Sequence, residues 1–219
     1  MLVRRYRAAA IIIRLTGMKT KPKQARRGRP RTYDTDEVLE RAMRLFWRRG
    51  YTATSLSDLT EAMGMNRASV YAAFGNKVSL FRRVLEHYVQ GPFAYFRRSL
   101  EAPTARSVAE RLLQGGANLA TNPRNPSGCL WVRGSLSYGD GPPRMRQEMS
   151  ARRRASVTEI EKRFARAVEE GDLPARADPA ALARFLQAVH LGIAVQAANG
   201  ATRADLNQVV RTALRAFPR

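Results

Sequence analysis

One stretch of this chain, residues 51–77, constrains the fold more than any other, because it combines two short helical patterns with a glycine between them. Ser55 and Asp58 have the spacing of a capping box, in which a hydroxyl and a carboxylate satisfy backbone N–H groups at a helix start. Apolar residues then recur at helical spacing up to Gly64, and glycine favours a sharp turn because it adopts positive φ. A second short helix is predicted from about Asn66. The pattern predicts a helix-turn-helix, whose second helix fits the major groove of DNA.

The same residues resemble the DNA-binding signature of the tetracycline-repressor (TetR) family. The resemblance is carried by G-Y-x-x-T-S-x-x-D-L and by A-M-G-M-N-R-A-S-V-Y-x-x-F-x-N-K, and it covers about Asp34 to Leu85. It implies double-stranded DNA as a partner, a homodimer, and a small-molecule pocket in the helical remainder of the chain. The chain departs from the usual pattern at Ala72 and Ala73, where a polar residue is common.

Residue types at the start of the second helix suit contacts with DNA. Arg67 can pair bidentately with guanine, and Asn66 either pairs with adenine or caps the helix. Whether Arg67 contacts a base or a phosphate stays open. The TetR resemblance implies phosphate contacts for Thr54, Tyr71 and Lys77, whereas Tyr71 can instead be a core aromatic and Thr54 a helix cap. The expected DNA-binding residues are Arg29, Arg31, Thr54, Ser55, Asn66, Arg67, Ser69, Tyr71 and Lys77.

The first 33 residues form a strongly basic arm. They hold 11 Lys and Arg residues and no acidic residue, and the whole chain has a formal net charge of +21. Such an arm is drawn to polyanions and is expected to be disordered when it is unbound. Arg29 and Arg31 flank a proline, so this extended unit either lies in a narrow minor groove or adds only nonspecific phosphate attraction. Met18 is an alternative translation start.

Helical patterns continue to the end of the chain, and no alternating strand pattern interrupts them. The predicted fold class is all-α, with about nine helices, one of them starting at Ser107 with Glu110. The predicted domains are the basic arm over 1–33, a helix-turn-helix domain over 34–78, and an effector-binding and dimerisation domain over 79–219. With one cysteine and no apolar run of roughly 18 residues, we expect a cytoplasmic protein without a disulfide or a membrane span.

The last two predicted helices carry wide apolar arcs. A two-fold packing of four helices would cover these arcs, and closure of the protomer's own core is the alternative. Because one helix-turn-helix reads only a few base pairs, dimers on near-palindromic DNA are the rule for such proteins. The expected interface residues are Leu182, Phe185, Val189, Ile193, Leu206, Val209, Val210, Ala213, Leu214 and Phe217.

The segment between the DNA-binding unit and the expected interface is rich in aromatic and Met residues. The TetR resemblance implies a pocket here for an unknown effector, and an apolar cavity suits these residues, although each of them alone also suits a core. The candidates are Phe93, Phe96, Leu113, Cys129, Trp131, Tyr138, Met145, Phe164 and His190. Cys129 stands at a predicted helix start, which can lower the pKa of a thiol. It is therefore either a thiol sensor or a buried small apolar residue.

Catalytic chemistry is not indicated. His87 and His190 are the only histidines, and there is no zinc-binding spacing, no Ser–His–acid arrangement and no phosphate-binding loop. We expect no metal and no cofactor. A nonspecific DNA-compacting protein would explain the basic arm but not the helical body. The sequence predicts a dimeric, sequence-specific transcriptional regulator released by a ligand. Repression by promoter occupancy is the expected sense, and activation is the alternative.

Overall fold

The computed structural model describes residues 33–136 and 143–218, and every regular element in these ranges is an α-helix. This confirms the all-α fold class. The basic arm up to residue 32, with Arg29 and Arg31, lies outside the described residues. The helices are α1 Thr35–Arg49, α2 Leu56–Met63, α3 Arg67–Phe74, α4 Lys77–Gln90, α5 Tyr95–Leu100, α6 Ala105–Ala120, α7 Leu130–Leu136, α8 Pro143–Glu169, α9 Pro179–Ala198 and α10 Arg203–Ala216.

The described residues contain ten helices, one more than the sequence predicts. The additional helix is α5, which has only six residues and no side-chain hydrogen bond at its start, so no capping pattern announces it. The start of α6 also differs from the prediction, because the hydroxyl of Thr104, not that of Ser107, caps this helix. Ser107 is the third helical residue, and its backbone N–H donates to the Thr104 hydroxyl at 3.1 Å.

The helix-turn-helix forms as its sequence predicts. The hydroxyl of Ser55 accepts the Asp58 backbone N–H, and the Asp58 carboxylate accepts the Ser55 N–H, which completes the capping box at the start of α2. Gly64 ends α2 in the left-handed conformation, with φ of 64°. Val70 and Phe74 are buried, so one face of α3 is held against the other DNA-binding helices while the opposite face stays exposed.

The DNA-binding helices do not have a core to themselves. One hydrophobic cluster joins buried residues of α1–α4 to Leu130 of α7 and to Met145 and Met149 of α8. Its largest fully buried side chain is Trp47, which packs edge-on against Tyr88 of α4 with ring centroids 5.1 Å apart. Movement of α7 or α8 therefore changes the packing of the DNA-binding helices directly.

A second cluster joins α5, α6, α8, α9 and α10. Phe164 of α8 packs on Phe217 just after α10, with ring centroids 5.4 Å apart. Phe93 is partly buried and packs against both clusters, so it links them. Contacts group residues Tyr33–Arg219 into one compact unit, and the boundary expected between residues 78 and 79 stays a prediction.

Half of the side chains expected in a dimer interface are buried within the protomer. The apolar faces of α9 and α10 that carry these side chains pack toward α6 and α8, because the same apolar residues are needed to close the second cluster. The residues so corrected are Ile193, Leu206, Val210, Ala213 and Phe217. The expected interface residues that keep exposed surface are Leu182, Phe185, Val189, Val209 and Leu214.

Helix α9 is more apolar than a surface helix of a single protomer needs to be. Among the described residues it alone meets the length and composition criterion for a membrane span, contrary to the expectation of none, with a mean hydropathy of 1.3 and 28% of the tested window buried. The core helices of helical bundles meet the same criterion. Since α9 packs on α6, α8 and α10, we read its apolar composition as packing surface.

Candidate nucleic-acid interface and effector cavity

The start of the recognition helix, α3, is shaped by Asn66. The Asn66 side-chain oxygen accepts the backbone N–H of Ser69 at 2.8 Å, so Asn66 has the capping role, which was one of its two predicted roles. The cap satisfies a donor that the first helical turn otherwise leaves without a partner. It also holds the first turn of α3 in the geometry that presents Arg67, the first helical residue, to solvent.

Arg67 and Tyr71 lie one turn apart on the exposed face of α3. The Arg67 Nη2 atom is 3.5 Å from the Tyr71 hydroxyl, and the guanidinium carbon is 5.7 Å from the centre of the Tyr71 ring. Tyr71 is 44% exposed, so it is not the core aromatic that was the alternative. The pair offers a fork of cationic donors beside a phenolic hydroxyl, which is suited to base edges or phosphates.

Thr54 does not have the geometry expected of a phosphate contact. The residue is fully buried, and its hydroxyl donates to the carbonyl oxygen of Gly50 at 2.7 Å. Thr54 thereby stabilises the turn after α1, and neighbouring Ser55 supplies the cap of α2. The sequence assigned DNA contacts to both of these adjacent hydroxyl residues, because it does not show which of the two faces inward.

Ser55 is exposed at the start of α2, and Asp58 accompanies it. Hydrogen bonds from the Ser55 hydroxyl and backbone lower the pKa of Asp58, and Arg49, whose Nη1 is 2.9 Å from the carboxylate, lowers it further. A helix N-terminus attracts anions. At α2, however, the Asp58 carboxylate already occupies the cap and accepts the Ser55 hydroxyl at 2.7 Å, so Ser55 can donate to a phosphate only if its hydroxyl turns away from Asp58.

Lys77 is partly buried at the first position of α4. Its ammonium lies 4.3 Å from the centre of the Tyr51 ring, within the range of a cation–π contact. Burial lowers the pKa of Lys77, and the nearby Asp58 carboxylate opposes this shift. The charge therefore has a defined position between the end of α3 and the start of α4, as a phosphate contact requires.

A cavity of about 650 Å³ lies between α4, α5, α7, α8 and α9. The predicted pocket residues that line it are Phe93, Phe96, Cys129, Trp131 and His190. Its size lies within the range of cavities that hold drug-sized ligands. Tyr138, a further candidate, lies outside the described residues.

Leu113, Met145 and Phe164 are not part of the cavity wall. All three are buried, Met145 in the first hydrophobic cluster and the other two in the second. Their predicted pocket role is wrong, because apolar character alone does not tell whether a helix face meets another helix or an empty space.

The polar part of the cavity wall was not among the predicted pocket residues. That part is formed by Arg97, Arg98 and Glu101 at α5, by Arg152, Arg153 and Glu159 on α8, and by Gln187 on α9. The α8 residues share a helix face with Met149, at spacings of three and four residues. This periodic signal was present in the sequence, but the face could not be assigned to a cavity without knowing where α8 packs.

Tyr95 and His190 form a hydrogen-bonded pair at the cavity, with the Tyr95 hydroxyl 2.6 Å from His190 Nε2. Both rings press on α6 at two adjacent glycines. A Cβ at Gly115 would overlap the Tyr95 ring, and a Cβ at Gly116 would come within 2.7 Å of the His190 ring. The glycines thus let the pair approach the helix backbone closely.

Burial lowers the pKa of His190 from 6.5 to about 4. At neutral pH the imidazole is therefore uncharged, and the wall of the cavity carries no positive charge from it. Burial also raises the pKa of Tyr95 well above its usual value, so the phenol stays protonated. The pair is a neutral hydrogen-bonding group, and His190 is its member that lines the cavity.

The lowered pKa of His190, a partly buried residue, predicts a loss of stability in mild acid. Because its folded pKa lies below the usual value, the unfolded chain binds the proton first, so this loss develops as the pH falls from about 6.5 to about 4. Between pH 7 and 4.5 His190 is expected to contribute about 2 kcal/mol of the decrease in unfolding free energy. His190→Gln keeps an acceptor for Tyr95 and removes this part. Urea unfolding at both pH values measures it, and equal losses in the two proteins would contradict the assignment.

Cys129 lies between the cavity and Tyr88, whose hydroxyl is 3.1 Å from the Cys129 sulfur. Burial raises the pKa of the thiol, against the opposing effect of the Tyr88 hydrogen bond. The lowered pKa expected for a thiol sensor is therefore not found, because loss of water outweighs the position at a helix start. Cys129 has the features of its alternative, a buried small apolar residue.

In residues 33–136 and 143–218, no group of three His, Cys, Asp or Glu side chains is arranged to hold a metal ion.

The chain matches two family models. Residues 38–84 match the one described as bacterial regulatory proteins of the tetR family, and residues 109–216 match the tetracyclin repressor-like C-terminal domain. The HTH-type transcriptional repressor ComR of Escherichia coli K12 is 32% identical over 194 residues, which are 88% of this chain and 92% of ComR.

The chain belongs to the TetR family. A solved structure of the TetR family regulator CifR, a cysteine mutant in complex with 26 bp of operator DNA, is 42% identical with a TM-score of 0.81 and covers 87% of this chain and 100% of CifR. A solved structure of a TetR regulator from Rhodococcus sp. RHA1 is 36% identical, with a TM-score of 0.58. The match covers 84% of this chain and 100% of the Rhodococcus chain. This chain is thus a helix-turn-helix transcriptional regulator, and not an enzyme.

Proposed function

We propose that this TetR-family protein is a dimeric, cytoplasmic repressor that binds a near-palindromic operator and is released by a small molecule in the cavity. The observation that carries the proposal is the exposed Arg67–Tyr71 pair on a capped recognition helix. Binding of operator DNA by CifR supports the DNA partner. A dimer on a promoter excludes polymerase by occupancy, which makes repression the proposed sense.

The proposed DNA contacts divide into two kinds. Arg67 and Ser69 at the start of α3 are placed to meet base edges, while Tyr71, Lys77 and the Ser55 hydroxyl meet phosphates on either side. Arg29 and Arg31 of the basic arm complete the proposed set and lie outside the described residues. Phosphate contacts orient the protein, and base contacts select the sequence.

The proposed dimer interface is the exposed apolar side of α9 together with α10. Leu182, Phe185 and Val189 recur at helical spacing, and Phe185 is 36% exposed. Gly192 continues this side of α9, and no described residue, apart from the adjoining backbone of α9 itself, comes within 4 Å of a Cβ placed there. A second copy of α9 can therefore approach closely, as in a two-fold helix packing.

Phe185→Glu is expected to convert the dimer into a monomer, because a carboxylate in a covered apolar interface loses its hydration without gaining a partner. The mass measured by light scattering should halve at micromolar concentration. Ala53→Glu is the matched control, since Ala53 is exposed in the turn between α1 and α2 and belongs to neither α9 nor α10. A variant that stays dimeric, or a wild-type protein that is monomeric, would contradict this interface.

The proposed route from cavity to DNA runs through Phe93. Its ring is 5.4 Å from Phe96 and 6.1 Å from His190, both in the cavity wall, and 5.6 Å from Tyr88, which contacts Trp47 of α1. A ligand that displaces Phe93 therefore disturbs the packing between α4 and α1. It changes DNA affinity only to the extent that it binds the two helix arrangements unequally.

Fluorescence anisotropy tests DNA recognition. The DNA is taken from upstream of the protein's own gene and of its neighbours, and random DNA is the control. Both DNAs are titrated at two salt concentrations. Tight binding to one segment that survives at the higher salt supports the repressor. Equal binding to both DNAs that collapses as salt rises would instead support a nonspecific DNA-compacting protein. That alternative rests on the net charge of +21, to which the basic arm contributes most densely.

A further inference from the structure

The cavity has an apolar part and a charged part. The apolar part consists of aromatic side chains, Phe93, Phe96 and Trp131, and of aliphatic side chains, Val132, Met149 and Leu191. Four arginines and two glutamates also line the wall, which gives it a net charge of +2. A ligand that satisfies both parts is amphipathic, with an apolar body and a negative group.

Arg152 is the best placed of the four arginines to receive that group. Its guanidinium carbon lies 6.0 Å from the centre of the Trp131 ring, so the charge stands beside the aromatic part of the wall. Its Nη2 atom is 3.2 Å from a Glu148 carboxylate oxygen. These two contacts hold the long side chain in one position before any ligand arrives, which reduces the entropy lost on binding.

Glu148 does not neutralise Arg152 fully, because it is shared. Its other carboxylate oxygen accepts a hydrogen bond from Nε of Arg82 on α4, at 2.8 Å. Two guanidinium groups and one carboxylate leave one positive charge, and Arg152 is the member of this trio that lines the cavity. An anion at Arg152 therefore meets an unbalanced charge, and it competes for Arg152 with Glu148, the carboxylate that links α8 to α4.

We propose that the cavity binds an amphipathic organic anion, whose negative group pairs with Arg152 while its apolar body contacts Phe93, Phe96 and Trp131. The inference rests on the proposed function, and it adds the chemical class of the effector and the residue that recognises its charge. A guanidinium donates two parallel hydrogen bonds to a carboxylate or a sulfonate, which gives such a contact direction as well as strength.

Two fluorescent probes with the same body separate the charge from the apolar contact. 8-Anilinonaphthalene-1-sulfonate carries the negative group, and N-phenyl-1-naphthylamine lacks it. Each is titrated into the full-length wild-type protein, and binding is followed by probe fluorescence. Arg152→Gln should weaken binding of the sulfonate about tenfold, the low end for a charge-assisted contact because the arginine is partly exposed, and should leave the neutral probe unchanged.

Arg154→Gln is the matched control for Arg152→Gln. Arg154 lies on the same helix and donates to the Ser150 hydroxyl at 2.8 Å, but it does not line the cavity, so neither probe should respond. The proposal is overturned if Arg152→Gln weakens both probes equally, or neither, or if Arg154→Gln weakens the sulfonate as much. Failure of the wild type to bind the sulfonate also overturns it.

Phe93→Leu distinguishes failure of this inference from failure of the proposed effector site. If this substitution weakens the neutral probe while Arg152→Gln leaves the sulfonate unaffected, the cavity still binds ligands and only the charge recognition is wrong. If Phe93→Leu affects neither probe, the probes bind elsewhere, and both the charge recognition and the effector role of the cavity are contradicted.

Discussion

Arg67→Ala is expected to weaken operator binding on the order of a hundredfold at constant salt, while the protein stays folded and dimeric. Arg67 is exposed at the first position of α3, so its removal costs no buried packing. A bidentate contact of arginine with a base contributes about 1–3 kcal/mol, and a dimer makes it twice. Anisotropy titrations with the operator measure the loss.

Arg111→Ala is the matched control for charge. Arg111 is exposed on α6, so the substitution removes the same charge from a helix outside both the DNA-binding unit and the proposed dimer interface, and should leave operator affinity nearly unchanged. If Arg67 contacts a base, its loss relaxes selectivity at one position of the operator. If it contacts phosphate, binding weakens on all sequences and the salt dependence becomes less steep by about one unit. Equal affinity of the variant and the wild type would remove Arg67 from the interface.

Trp47→Ala is expected to reduce the unfolding free energy by about 3–5 kcal/mol, which is a large part of the total stability of a typical domain. Trp47 has no exposed surface, and its ring fits edge-on against Tyr88 of α4. The substitution leaves a cavity where α1 and α4 meet. Urea unfolding followed by circular dichroism, at one fixed protein concentration, measures the change.

Trp47→Phe separates the aromatic packing from the indole nitrogen. The Trp47 Nε1 atom is buried without a hydrogen-bond partner among the described residues, so removing it relieves a desolvation cost while a ring remains against Tyr88. This variant should lose clearly less stability than Trp47→Ala. Val89→Ala, at a position 38% exposed, should change stability little. Similar losses for the two Trp47 variants would contradict a desolvation cost at the indole nitrogen.

The local part of this structure follows from short-range rules that act within a few residues. The capping box of Ser55 and Asp58 and the positive φ of Gly64 appear as predicted, because a cap or a tight turn depends on neighbours along the chain. The prediction missed helix α5 and misplaced the start of α6 because the local signals there are weak or ambiguous. Where no strong cap marks a helix, or two hydroxyl residues compete for the cap, local pattern does not place the boundary.

The sequence by itself determined that this is an all-α regulator with a helix-turn-helix, and which helix faces are apolar. Only the tertiary structure decided what each apolar face meets. It buried Thr54 next to exposed Ser55, put Phe164 in a core and Phe93 at a cavity, and brought Arg152 to the wall beside Trp131. Helical periodicity reports that a residue points inward. Whether inward means a core, a cavity or a second protomer depends on contacts between residues far apart in the chain, which the periodic pattern does not encode.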